Sequence, residues 1–189
     1  DLTVTDSLVV DTTTLVVNAS GYTDKVGIGT ATPGAQLDIH DTTTSSANTV
    51  GKLRLSANDG ATMGDSHRLG VVEFSGAEDS SGTQVVGARI EALTDAAWTN
   101  AENGCALYFY TTDGNASESN VLKLDSNKKA TFGGVLSIPD GSASAPALTN
   151  TGDTNCGLYF SAADTLAFTA GGVAQFTMAD GVLAPVTDS

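Results

Sequence analysis

Basic residues are scarce in this chain of 189 residues: 8 Lys and Arg stand against 22 Asp and Glu, for a net charge of −14. A nucleic-acid binder needs a basic footprint to displace counterions from phosphate, and an anionic lipid surface attracts the same footprint, so neither partner is expected. Aromatic residues are few, at 6%. Any core must therefore be built from Val, Leu, Ile and Ala within the 40% of residues that are hydrophobic. No apolar run approaches the roughly 20 residues that span a bilayer, so membrane insertion is not expected. Two cysteines, Cys105 and Cys156, are too few for a disulfide framework or a Cys-rich zinc site. The chain opens DLTVTDSLVV, without Met or a positively charged leader, and reads as the middle of a pattern. The expectation is a piece of a longer polypeptide.

What is abundant is Gly, Ser, Thr, Asp and Asn, a mixture that suits turns and sheet edges and disfavours helices. The first 40 residues repeat one device, apolar pairs at i and i+2: Leu2 with Val4, Leu8 with Val10, Leu15 with Val17, Val26 with Ile28, and Leu37 with Ile39. That alternation is the signature of β-strands, each about three to five residues long. Strands so short are marginal alone and gain most by sharing apolar faces with neighbouring copies. A small single-chain sandwich is the other reading. Residues 43–49 are a polar linker. Beyond it the strands lengthen: KLRLS at 52–56, LGVVEFS at 69–75 and VVGARIEAL at 85–93. Helix competes over 86–98, but Gly87 and the lack of a helical apolar stripe favour strand, with Val86, Ala88, Ile90 and Ala92 on one face and Arg89 and Glu91 facing out.

The last third contains a degenerate repeat. NGCALYF (103–109) aligns with TNCGLYF (154–160), and VLKLDSNKKATF (121–132) with TLAFTAGGVAQF (165–176). The spacing differs because the first copy carries an extra loop, TTDGNASESN. Internal repetition of a short β unit marks a stacked architecture. In each copy Cys, Leu and Phe fall at i, i+2 and i+4, so Cys105, Leu107 and Phe109 form one row and Cys156, Leu158 and Phe160 another. These six are expected to be core, the thiols inert and unpaired. Neither His40 nor His67 shows any sign of activating one.

The stretch KVGIGTATPGAQLDIH (25–40) has the look of a phosphate cradle. Its Gly27, Gly29 and Gly34 miss the G-x-G-x-x-G spacing, Pro33 blocks a helix, and no G-K-S/T follows. Gly27 and Gly29 are expected to permit close approach to an axis or a neighbouring chain, with Pro33 and Gly34 setting a turn. Two-carboxylate glycosidase chemistry would draw on Glu73, Glu78, Asp79 and Glu91, a cluster that an acidic chain supplies by chance. Asn58-Asp59-Gly60 and Asp113-Gly114-Asn115 offer oxygen ligands but fit no calcium loop and read as solvated turns. No catalytic residue, cofactor or metal is expected. Trp98, Tyr108 and Tyr110 are candidates for contact with a surface glycan, the plainer role of Trp98 being to cap a core.

Two segments resemble a known family. VGIGTATPGAQLDI (26–39) is similar to the VGIGT-(T/S)-P-x-x-x-L-x-(I/V) element of bacteriophage tail fibres and tail spikes. IPDGSASAPALTNTGDTNCGLYFSAADTLAFTAGGVAQFTM (138–178) resembles a second fibre element, matching at Asp140, Gly141, Pro146, Gly152, Asp153, Asn155, Gly157 and Tyr159, then at Ala163, Asp164, Leu166, Phe168 and Gly172. The resemblance implies an all-β, elongated, intertwined homotrimer with short-strand segments of triple-β-helix or β-prism type. It would have a fibre shaft at 1–42, a more regular knob-like β domain at 50–133 and a second fibre unit at 134–189. It further implies a virion protein, assembled in the host cytoplasm and exposed outside. Such a protein would join tail or baseplate proteins and attach to a host glycan or protein receptor. Fibres of this type often end in a self-cleaving chaperone domain, which these residues do not resemble. A head fibre and a polysaccharide-depolymerising spike are the alternatives.

Overall fold

A computed structural model of the chain describes residues 15–17 (backbone), 25–44, 50–114 and 117–186. The pairs Leu2 with Val4 and Leu8 with Val10, and most of the 43–49 linker, lie outside the described residues. Those described form strands, turns and extended segments and contain no helix. The chain divides into two compact units, Asp1–Lys129 and Ala130–Ser189.

The first sheet is made from the three-residue strands β1 (Leu15–Val17), β2 (Val26–Ile28) and β3 (Leu37–Ile39), in that order. Each falls on one of the apolar pairs. β1 and β2 are antiparallel, whereas β2 and β3 run parallel, with Val26 opposite Leu37 and Ile28 opposite Ile39. Parallel neighbours usually need a crossover of a dozen or more residues. Here residues 29–36 suffice, because a three-residue strand requires a return of only about 10 Å.

The second sheet has the order β4-β5-β6-β7-β8 and is antiparallel through β7: β4 (Arg68–Ala77), β5 (Gln84–Thr94), β6 (Cys105–Thr112), β7 (Glu118–Leu124) and the short β8 (Ala130–Phe132). Residues 86–94 are strand and not helix. The expected strand at 52–56 is absent: no residue of the segment joins a sheet. Instead Leu55 lies over Gly70, where any Cβ would strike the Leu55 side chain. The alternation that suggested a ladder serves to lay leucines on a sheet face.

The third sheet is a meander, β9 (Leu148–Asn150), β10 (Asp153–Ala162), β11 (Thr165–Ala170), β12 (Val173–Ala179) and β13 (Val182–Pro185), every pairing antiparallel. β11 to β12 turns through Gly171-Gly172 and β12 to β13 through Asp180-Gly181, all four residues at positive φ. These are the two-residue turns whose twist matches that of the flanking strands.

Burial is the unusual feature. Among the described residues the buried hydrophobic side chains are few: Ala106, Tyr159 and Ala167, together with Pro33 and Pro146. Many large aliphatic and aromatic residues, Phe74, Phe160, Phe176 and Leu183 among them, stand out in solvent.

Candidate functional site

The two larger sheets each have two unlike faces. In the second sheet, cross-strand pairing sets Val72, Ile90, Phe109 and Leu122 in one row, and Gly70, Ala92, Leu107 and Leu124 in the next. Both rows share a face and carry no charge. Val72 is 41% exposed and Leu124 40%. In the third sheet, Leu148, Leu158, Phe168, Phe176 and Pro185 form one row across all five strands. Phe160, Leu166, Met178 and Leu183 form the next. This face is also open. The opposite face of the third sheet is covered over β10 and β11 by residues 140–147. Phe160 donates its N–H to the Asp140 carbonyl at 2.8 Å, and the Thr169 hydroxyl donates to the Ala143 carbonyl at 2.7 Å. Pro146 lies buried against that side, which holds Tyr159 and Ala167.

The repeat seen in the sequence is therefore a repeat of strand register. Leu107 faces Leu124 and Phe109 faces Leu122 in the β6–β7 hairpin. Leu158 faces Phe168 and Phe160 faces Leu166 in β10–β11. The six residues expected to be core share their predicted faces, but those faces are not the interior of a single chain. Cys105 and Phe160 are exposed, Leu107 is at the exposed margin, and Phe109, Cys156 and Leu158 are only half-buried. Residues 140–147 lie on the other side of the third sheet and the Arg68, Arg89 and Glu91 cluster on the other side of the second, and the buried hydrophobic positions on these sides are the alternates Tyr159 and Ala106. Both thiols are free; Cys156 Sγ accepts the Gly171 N–H at 3.2 Å.

The second face of the β4–β7 sheet is polar and ordered. Val71, Glu91, Tyr108 and Lys123 make one row and Glu73, Arg89, Tyr110 and Asn120 another. Glu91 does not face out into water as its alternation suggested: its side chain is 2% exposed. Arg68 reaches its Oε2 with both Nε and Nη2 at 2.7 Å, and Arg89 Nη2 donates to its Oε1 at 3.3 Å. Arg89 also pairs with Glu118. Burial pushes the Glu91 carboxyl up, but the hydrogen bond from Arg89 and the charges of both arginines outweigh it and hold the group below the usual carboxylate range. Burial, followed by the hydrogen bond and charge of Glu91, raises the Tyr110 phenol above its ordinary value.

Tyr108 and Tyr110 are stacked, with centroids 5.8 Å apart. The Arg89 guanidinium lies 4.0 Å over the Tyr110 ring and Lys123 lies 5.4 Å over Tyr108. Intramolecular cations thus occupy ring faces that a sugar would otherwise stack on. Trp98 is elsewhere, in the β5–β6 connection, where Nε1 donates to the Gly104 carbonyl at 2.9 Å and the backbone N–H to the Met63 carbonyl at 2.8 Å. The structure brings the two tyrosines together and leaves the tryptophan out. The spacing Tyr-x-Tyr beside Arg-x-Glu on strands was the available sign of this cluster, since i and i+2 share a face.

The remaining candidates serve the backbone. Gly29 has φ +78°, and a Cβ there, as at the buried Gly27, would strike backbone of this same chain: the His40 carbonyl for Gly29 and the Thr30 carbonyl for Gly27. Close approach within the loop accounts for both glycines. Pro33 accepts a hydrogen bond from Lys25 Nζ at 3.1 Å, and Gly34 donates its N–H to Asp38 Oδ2 at 2.8 Å, closing the bend. Asp79 closes the β4–β5 turn: Oδ1 accepts from the Ser81 and Thr83 N–H groups at 2.8 and 3.2 Å. Hydrogen bonds from the Thr83 backbone and hydroxyl lower its pKa. Asn58 and Asp59 likewise accept from Gly60 and Ala61 two residues on. Among the described residues no group of His, Cys, Asp and Glu is placed to hold a metal, and no helix is long and apolar enough to cross a membrane.

The chain matches no protein-family model and no curated protein.

Proposed function

We propose that this chain is a virion fibre protein, a homotrimer that attaches a bacteriophage tail to the host surface by multivalent contact. The observation that carries this reading is the pair of sheets with charge-free apolar rows in which many large side chains stand exposed, while few hydrophobic side chains are buried. A chain that folded to act alone would bury them, since contiguous exposed apolar patches larger than a few hundred Å² are rare on monomers. The short strands at 15–39 and the likeness of the 26–39 and 138–178 segments to fibre elements support the same reading. Multivalency supplies the mechanism: three copies in a fibre, and several fibres on a particle, turn weak contacts into firm attachment. A host-surface glycan or protein is the ligand, and tail or baseplate proteins are the virion partners.

The test is direct. Light scattering on the purified chain gives three times the mass of 19.0 kDa, and antibody against it labels particle tails and blocks adsorption. Label on heads assigns it to head decoration instead, and release of sugar from host polysaccharide assigns it to a depolymerising spike. A folded monomer overturns the proposal.

A further inference from the structure

We infer that the open apolar faces of the second and third sheets are one surface used twice, and that each is covered by the same face of a second copy of this chain. The number of copies rests on the fibre reading above; the choice of face rests on geometry, area and charge.

Geometry comes first. The β6–β7 and β10–β11 hairpins place equivalent residues in equivalent cross-strand pairs, Leu107 with Leu124 as Leu158 with Phe168. In the third sheet residues 140–147 already occupy the reverse face over β10 and β11, while the apolar rows of those strands lie on the other, uncovered side. Area comes next. Leu148, Phe160, Phe168, Phe176, Met178 and Leu183 are 53, 40, 38, 46, 44 and 63% exposed. For side chains of their size this amounts to roughly 500 Å² of apolar surface, at the upper end of what a monomer leaves bare. Val72, Phe74, Leu107 and Leu124 on the second sheet, with Leu53 and Leu55 beside them, add a comparable area. The sum per chain, roughly 1,000 Å², exceeds the roughly 800 Å² that each partner contributes to a stable interface.

Charge then selects the occupant. Residues 130–189 contain five Asp and no Lys or Arg, and none of the Asp lies in the apolar rows. Asp153 opens β10, while Asp164 and Asp180 sit at positive φ in turns. A basic partner would be drawn to those turns and would find nothing to pair with on the rows. A second copy carries the same −14 and can approach only through a surface that has no charge. Face against like face satisfies that condition, with the aspartates left at the rim in water.

The chain carries its own reporters, because Cys105 and Cys156 lie on these faces, two residues before Leu107 and Leu158. In the native full chain both thiols should react with a maleimide at least tenfold more slowly than in the same protein dissociated by dilution. Phe168→Asp and Leu107→Asp should each lower the assembled mass. Val182→Asp, placed on the opposite face at a residue 63% exposed, should leave the mass unchanged. A trimer whose thiols react freely, or whose mass survives both Asp substitutions, overturns the assignment of the face and leaves the trimeric reading standing. Should Phe168→Asp fail to fold, thiol protection in the unsubstituted protein still decides. A folded monomer overturns both this inference and the trimer. Protected thiols in a trimer that binds no host surface uphold this interface and overturn the adsorption reading.

Discussion

At the residue scale, Glu91 is the position where burial and charge are most finely balanced. A carboxylate with a side chain 2% exposed is tolerated because Arg68 and Arg89 flank it. Removing one member of a buried pair leaves the other uncompensated, so Glu91→Gln should cost on the order of 3 kcal/mol in denaturant unfolding. Arg68 is 53% exposed and solvent-screened, so Arg68→Gln should cost less than 1 kcal/mol. The pH dependence follows from the direction of the shift. The folded pKa of Glu91 is depressed below its usual value of 4.5. Its contribution is therefore complete above about pH 4.5 and is lost as pH falls through the folded value. Acid titration of stability should accordingly be flatter in Glu91→Gln than in the parent, and an equally steep profile would remove Glu91 as the cause.

At the element scale, the positions of the strands were the most legible part of the sequence and the partners of their faces the least. The turns Gly171-Gly172 and Asp180-Gly181 were not read from the sequence, although Gly and Asp tolerate the two successive positive φ values observed at each. The i, i+2 pairs located β1, β2 and β3, and the Cys-x-Leu-x-Phe repeat located two hairpins in matching register. The pattern could not say which side would be covered, because alternation specifies two faces and not their partners. Apolar residues were therefore assigned to the core when the buried positions are Ala106, Ala167 and Tyr159. KLRLS failed as a strand for a related reason: alternation says which residues share a face, and here Leu55 is laid over Gly70 on a sheet face instead of the segment joining a sheet edge. Glycine substitutions separate local conformation from packing. Gly172 has φ +79°, so Gly172→Ala should lose about 1 kcal/mol through left-handed strain. Gly76, within β4, has no positive φ and nothing within 4 Å of a Cβ, so Gly76→Ala should gain up to about 0.5 kcal/mol by restricting the unfolded chain. Thermal unfolding of the two variants side by side checks the opposite signs.

At the scale of the whole molecule, two opposing forces act on any assembly of this chain. Apolar rows draw copies together, and like charge drives them apart: three copies at −14 each carry −42. The first force makes stability depend on mass action, so the unfolding temperature should rise with protein concentration. The second is long-ranged and screened. Between 10 and 150 mM salt the Debye length falls from about 30 to about 8 Å, which removes most of the repulsion between the acidic turns of adjacent copies. The unfolding temperature should therefore rise with salt at fixed protein concentration, and most steeply at low salt. Ion pairs predict the reverse. The Arg68–Glu91 and Arg89–Glu118 pairs weaken with salt, but within the described residues they lie on the polar face of one sheet. A scan of unfolding temperature over salt and protein concentration together distinguishes the two. If the temperature falls with salt and ignores concentration, intramolecular pairs dominate and the copies do not associate. If it rises with both, charge repulsion between associated copies sets the stability, and the bare rows are what they meet across.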